Sequence, residues 1–210
     1  MISLSEILHT IAQALMIPCL IILLVLMAGA VWQIGDIVVE YIAERRKHKC
    51  NVPQLLRDVH TAGADGLAEL IENSGLLRRQ KKALLELAES RGLPKDTLTA
   101  LAERLLATEE ARNARTTSIT DMIAKLGPMF GLLGTLIPLG PGIVALGQGD
   151  TVMLSESMNV AFDTTIAGVI SAAVASVISH IRKRWYNDDM VSLETLMEAV
   201  LEEVTSDVEG

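Results

Sequence analysis

The chain has 210 residues, of which half are hydrophobic and only 3% are aromatic. Soluble cores draw on Phe, Tyr and Trp for bulk, so this composition favours helices packed in lipid. The formal net charge of −8 argues against nucleic acid as a partner, because phosphate binding needs clustered Lys and Arg. Two cysteines are too few for a disulfide framework, and the sequence contains no cofactor or metal-binding motif. We therefore expect no cofactor, no bound metal and no enzymatic activity.

The first apolar run lies near the N-terminus. Ala14 to Trp32 contains no charged or strongly polar side chain, and the next charged residue is Asp36. At 1.5 Å per residue the run covers roughly 28 Å, close to the ~30 Å of hydrocarbon in a bilayer. A cleaved signal peptide is the alternative, but the run is too long and no Lys or Arg precedes it. We predict an N-terminal segment and a retained transmembrane helix within residues 1–35.

Two further apolar runs lie in the C-terminal half. The chain carries no charge between Lys125 and Asp150, although this stretch is rich in glycine and contains three prolines. Such a composition suggests a loop in a soluble protein, whereas neighbouring helices make it tolerable in a membrane helix. We predict transmembrane helices over 123–149 and 157–181, joined by a loop over 150–156.

The basic residues predict the orientation of the spans. They follow the first span (Arg45, Arg46, Lys47 and Lys49) and the third span (Arg182, Lys183 and Arg184). Three spans place both clusters on the same side of the membrane, and the positive-inside rule makes that side cytoplasmic. The sequence therefore predicts a multi-pass protein of the cell (inner) membrane. Its N-terminus and the loop over 150–156 would lie outside, and its C-terminus in the cytoplasm.

The remaining segments have helical periodicity. In 36–122, leucines recur on one face among charged residues, which predicts a cytoplasmic helical domain. The polar stretch before the second span continues into that span without Gly or Pro, so we expect the domain and the span to share a helix. Residues 182–210 form an acidic amphipathic pattern with apolar positions on one face. The expected fold is all-α, with three transmembrane helices and a helical cytoplasmic domain that packs on itself or on neighbouring copies.

Small residues dominate the second and third spans. The positions that we expect to pack helix against helix are Gly127, Gly131, Gly134, Gly168 and Ala172. Small residues let helix backbones approach closely, which matters in lipid because packing replaces the hydrophobic effect there.

Four of the polar residues within the same two spans are candidates for a functional role: Thr135, Asp163, Thr164 and Thr165. A threonine hydroxyl in a membrane helix often bonds to the carbonyl one turn earlier, which is the purely structural interpretation. Asp163 is costlier, since a carboxylate at mid-bilayer costs roughly 2.5–3.5 kcal/mol on insertion scales. It either caps a third span that begins at Thr164 or lies in an aqueous path.

Two motifs in these spans resemble a known family. Residues 131–135, Gly-Leu-Leu-Gly-Thr, resemble the first signature of the MotA/TolQ/ExbB proton channel family. Residues 161–169 resemble its second signature, in which a threonine precedes a glycine by three places, as Thr165 precedes Gly168. The topology agrees over the whole chain, whereas the likeness in motifs is confined to about 128–184.

This resemblance implies a pentamer whose second and third spans line a pore. A partner similar to ExbD, TolR or MotB, with a single membrane helix and an ionisable carboxylate, would lie inside that pore. Thr135 and Thr165 match the family's pore threonines, and Thr164 and Asp163 lie beside them. The chain would then be the ring-forming channel subunit of a motor that couples the flow of protons, or of sodium ions, to mechanical work.

The chain departs from the family at one place. Members similar to ExbB and TolQ carry a glutamate five residues before the third-span threonine, where this chain has Val160; Asp163 is a candidate to replace it. The alternative function is a membrane scaffold that conducts nothing and recruits partners through its cytoplasmic helices. It predicts that valine in place of Thr135 and Thr165 leaves function intact.

Overall fold

The computed structural model describes residues 4–45 and 51–209, so the predicted basic cluster of Arg46, Lys47 and Lys49 lies outside the described residues. The described chain folds into α1 (Leu4–Ala14), α2 (Met16–Glu40), a π-helical turn (Tyr41–Arg45), α3 (Val52–Asn73), α4 (Arg78–Glu89), α5 (Lys95–Gly147) and α6 (Thr151–Glu209). These ranges contain no strand. Three helical stretches are long and apolar enough to cross a membrane: Glu6–Ala43, Lys95–Gly147 and Thr151–Ser206. The predicted all-α fold with three membrane-spanning helices is confirmed.

The first apolar helix is longer than the predicted span. A turn at Leu15 separates α1 from α2, and the Leu15 amide still donates to the Ile11 carbonyl at 3.1 Å. The apolar run therefore lies almost entirely in α2, which continues to Glu40 because residues 33–40 contain no proline and keep apolar side chains between the polar ones.

The segment 150–156, expected as a loop, is helical from Thr151 onward, because α6 begins there. Only residues 148–150 separate α5 from α6, and Gly149 supplies the positive φ of 80° that reverses the chain. Asp150 then caps α6, since its carboxylate accepts the Met153 amide at 3.0 Å.

The third predicted span and the C-terminal amphipathic segment share one helix. Residues 157–181 and 182–210 were assigned to separate regions, yet α6 runs from Thr151 to Glu209. No glycine or proline lies near Ile181 to end the helix. Likewise, α5 carries the second predicted span and the polar segment that precedes it, with Pro128, Pro138 and Pro141 inside the helix.

The chain divides into two compact units. The first unit comprises Met1–Ile37 and Thr117–Ile181, and the second comprises Val38–Thr116 and Arg182–Gly210. In the first unit, one apolar cluster joins three helices through Leu26 and Ala30 of α2, Ile123 of α5 and Ala175 of α6.

The second unit has a conventional leucine-rich core. Its fully buried members come from α3, α4, α5 and α6: Val59, Leu67, Ile71, Leu84, Leu87, Leu98, Leu193, Leu196, Met197, Val200 and Val204. At the start of α4, the Leu77 amide donates to the Gln80 side chain, whose own amide nitrogen donates to the Asp189 carbonyl at 3.0 Å. The apolar stripes expected from the sequence thus meet in one helical bundle.

Candidate functional site

The closest helix contact in the first unit joins α5 to α6. A Cβ atom built on Gly127 would lie 2.7 Å from the Gly168 carbonyl oxygen, and one on Gly134 would lie 2.6 Å from the Thr164 Cβ. A Cβ on Gly168 would lie 2.5 Å from the Gly127 carbonyl oxygen and 2.8 Å from the Gly131 Cα. Because these distances leave no room for a methyl group, the sequence can place only glycine here. We call this contact the glycine seam.

The glycine seam fixes the register of the two helices. It runs antiparallel from Gly127 opposite Ala172 to Gly142 opposite Ser157, a length of roughly 22 Å along the helix axis. The five residues predicted to pack helices all lie in it. Gly142 and Ser157, which sequence reasoning missed, extend it beyond the contact of Gly134 with Thr164.

The register also settles the depth of the threonines. Gly131 lies against Gly168 and within 3.7 Å, measured from its built Cβ, of the Thr165 Cα. The contact between Gly134 and Thr164 places Thr135 level with Asp163, so Thr135 and Thr165 differ in depth by about 3 Å.

All three threonines donate to carbonyls of their own helix. The Thr135 hydroxyl donates to Leu132 at 2.6 Å and the Thr165 hydroxyl to Ala161 at 3.0 Å, and both side chains are half-buried. A hydroxyl that donates in this way keeps oxygen lone pairs that can accept a hydrogen bond from water. Thr135 and Thr165 can therefore solvate a cation or a protonated water.

Thr164 differs from its neighbour. It is only 4% exposed, its hydroxyl bonds to the Val160 and Ala161 carbonyls, and its side chain lies against Gly134. Thr164, which was predicted among the pore residues, therefore lies in the glycine seam.

Asp163 is exposed on α6. The register that sets Thr164 against Gly134 brings Asp163 to nearly the same depth as Thr135. It lies twelve residues inside α6, which begins at Thr151, so it does not cap that helix. The sequence left two roles open for Asp163, and the start of α6 at Thr151 excludes the capping role.

A cluster of charged and aromatic side chains in the second unit was not foreseen. The Arg182 Nε donates to the Glu40 carboxylate at 3.0 Å, with the two side chains only 6% and 16% exposed. Burial raises the pKa of Tyr186 to about 12, and the Glu40 charge and its hydrogen bond act in the same direction. Arg182, predicted as one of three basic residues that mark the cytoplasmic side, is thus half of a largely buried ion pair.

The fold and the glycine seam define an integral membrane protein built around a closely packed pair of helices with threonines at similar depth. A profile of the MotA/TolQ/ExbB proton channel family matches residues 69–195, which is more than half of the chain. The chain belongs to that family, as its two motifs indicated, and its role is that of a proton channel in a membrane complex. A comparison with curated proteins found no match.

Proposed function

We propose that this chain is the ring-forming channel subunit of a membrane motor driven by the proton-motive force. In this proposal five copies surround a single-span partner, similar to ExbD, TolR or MotB, whose membrane carboxylate takes up and releases protons. Each charge that crosses 100 mV releases about 2.3 kcal/mol, and this energy drives one component to move against the other.

The observation that carries the proposal is the pairing of α5 and α6. Their glycine seam holds Thr135 and Thr165 at similar depth, on helices whose other faces carry exposed apolar side chains such as Leu132 and Ile166. A rigid helix pair with hydroxyl acceptors at one level suits the wall of an ion path, and the family match over 69–195 supports the same role.

In the proposed orientation the protein lies in the inner (cytoplasmic) membrane of the cell. Its N-terminus lies outside, and its second unit lies in the cytoplasm. This orientation rests on the positive-inside rule and on the position of Lys183 and Arg184 directly after the third span. Labelling of single cysteines, introduced at Thr151 and at Ser90, with an impermeant reagent checks it. Thr151 should react from outside, and reaction at Ser90 instead would reverse the topology.

The threonines provide the first test of conduction. We expect Thr135→Val and Thr165→Val each to lower proton flux about tenfold, because valine keeps the shape of threonine but cannot accept a hydrogen bond. Flux is measured with a pH-sensitive dye inside proteoliposomes that contain the chain and its co-purified partner. Thr164→Val is the matched control, since its hydroxyl is buried in the glycine seam, and it should retain wild-type flux. Wild-type flux in both the Thr135 and the Thr165 variants would remove these threonines from the ion path, whereas a wild-type complex without flux would favour the non-conducting scaffold.

Asp163 provides the second test. Its exposure, and its depth close to that of Thr135, support its use in place of the family glutamate that is absent at Val160. Asp163→Asn should lower proton flux in the same assay, whereas Asp163→Glu should retain most of it. Unchanged flux in the Asn variant removes Asp163 from the ion path.

The coupling ion is tested with the same vesicles. We expect the flux to follow an imposed pH gradient and to persist when choline replaces all sodium. Flux that disappears without sodium would establish sodium coupling instead.

A further inference from the structure

A second group of polar residues lies inside the first unit, away from the threonines of the glycine seam. It consists of Gln33 on α2, Thr120 and Asp121 on α5, and Ser179 on α6; we call it the buried polar cluster. Gln33 is 5% exposed, Thr120 is fully buried and Ser179 is 4% exposed. The Ser179 hydroxyl donates to the Asp121 carboxylate.

Helix geometry brings these residues to one level. The Cys19 thiol donates to the Phe130 carbonyl and Gly29 lies against Ile123, so α2 runs antiparallel to α5. The glycine seam makes α6 antiparallel to α5 as well. One turn beyond the apolar cluster of Ala30, Ile123 and Ala175, the three helices therefore present the buried polar cluster at the same end.

Two polar atoms of this cluster lack a protein partner. Within the described residues, the Gln33 side-chain oxygen and the Thr120 hydroxyl oxygen are buried and make no hydrogen bond to the chain. Thr120 differs in this respect from Thr135 and Thr165, whose hydroxyls donate to their own helix. A buried polar group left unsatisfied costs about 1–3 kcal/mol, and bound water is the usual partner, with about three hydrogen bonds per molecule.

We propose that the buried polar cluster binds water inside each subunit, and that this water relays protons between the channel and the cytoplasmic side. Gln33 and Thr120 accept hydrogen bonds from the water, and the Asp121–Ser179 pair completes a polar wall. Other ionisable groups of the first unit near this level are Asp36, Lys125 and His180, and all three lie on exposed helix faces.

The relay rests on the proposed function, whereas the water site does not. Gln33 directly follows the first apolar run, which ends at Trp32, and Ser179 is two residues from the end of the third predicted span, so the cluster lies at the predicted cytoplasmic end of the bundle. Water, hydroxyls and a carboxylate can each accept one proton and release another, so a proton can pass without net chemical change.

The water site is tested by the sign of one stability change. Thr120→Val removes the hydroxyl while keeping its shape. If the site is hydrated, the variant loses a hydrogen bond, and the thermal midpoint of the complex in nanodiscs should fall by about 2–4 °C. If the hydroxyl is dry and unpaired, removing it relieves a desolvation cost and the midpoint rises or stays unchanged; either of these results overturns the water site.

Thr116→Val is the matched control for that measurement. Thr116 lies one turn away on the same helix, is half-buried, and donates its hydroxyl to the Arg112 carbonyl at 3.3 Å. The midpoint of this variant should stay within about 1 °C of the wild type, because the substitution leaves no buried polar atom without a partner. An equal fall in both variants would show a general effect of valine and overturn the water site.

The relay is tested by proton flux through the same complexes. We expect Thr120→Val and Asp121→Asn to lower flux about tenfold while the oligomer and its co-purified partner remain intact, and Thr116→Val to leave it unchanged. Wild-type flux in both cluster variants overturns the relay. A wild-type complex without any flux overturns the proposed function together with the relay, and the thermal comparison then still decides on the water site.

Discussion

The two units of this chain hold their helices together by opposite means. The first unit packs α5 against α6 through glycines, where a single added methyl group would overlap the backbone of the facing helix. The second unit packs α3 to α6 around large side chains such as Leu87 and Leu193, which are at most 1% exposed. Lipid is as apolar as leucine, so membrane helices gain from close contact, whereas helices in water gain from burying apolar area. The glycine contact of the first unit should therefore be most sensitive to added side-chain volume, and the core of the second unit to lost side-chain volume.

The largest effect on stability is expected in the leucine core. Leu87→Ala removes a side chain that is 0% exposed, and we expect it to lower the free energy of unfolding of the second unit by about 2–5 kcal/mol. Denaturant unfolding of the full chain in detergent measures it. Leu93→Ala, at a position that is 40% exposed, should change stability by no more than about 0.5 kcal/mol. Equal losses in both variants would contradict the description of this core.

The next effect is expected in the glycine seam. Gly168→Ala places a methyl group against the Gly127 carbonyl and the Gly131 Cα, where neither backbone atom can move aside alone. We expect a loss near the upper end of the about 1–3 kcal/mol that overpacking costs, seen as a lower thermal midpoint and less assembled complex. Gly35→Ala is the control, because a Cβ on Gly35 meets no atom within 4 Å. A Gly168→Ala variant as stable as wild type would mean that the helices are not packed this closely.

The smallest effect concerns Tyr186 in the second unit. Its pKa is raised from 10.0 to about 12, so between these values the folded chain retains a proton that the unfolded chain releases. The stabilisation from this group is complete below pH 10 and is lost as the pH rises toward 12. Phenolate absorbance should show a late titration step that Tyr186→Phe removes, and the variant should lose less stability across that pH window. A titration curve without a late step would show that burial and Glu40 do not raise the pKa of Tyr186.

The sequence was sufficient for the parts of the molecule that follow from periodicity. The three apolar helices follow from long charge-free runs, and the α5–α6 contact follows from the spacing of Gly127, Gly131 and Gly168. The start of α6 at Thr151 was missed because a loop boundary was inferred from where polar residues end, although Asp150 is a good capping residue.

Long-range pairings could not be predicted in the same way. Nothing in a single sequence indicates that Arg182 meets Glu40, which is 142 positions away, or that Thr164 turns into the glycine seam while Thr165 stays half-buried. The only signal of the buried polar cluster in the sequence is a glutamine directly after an apolar run. A single polar residue at the end of a span ordinarily indicates only that the span meets water there.

Native mass spectrometry of the complex, purified from its own membranes in mild detergent, tests the proposed ring most directly. We predict five copies of this chain, together with one or two copies of a small single-span protein that carries a membrane aspartate. A monomer or dimer without such a protein, recovered under several gentle conditions, would contradict the motor and leave the non-conducting scaffold as the better description.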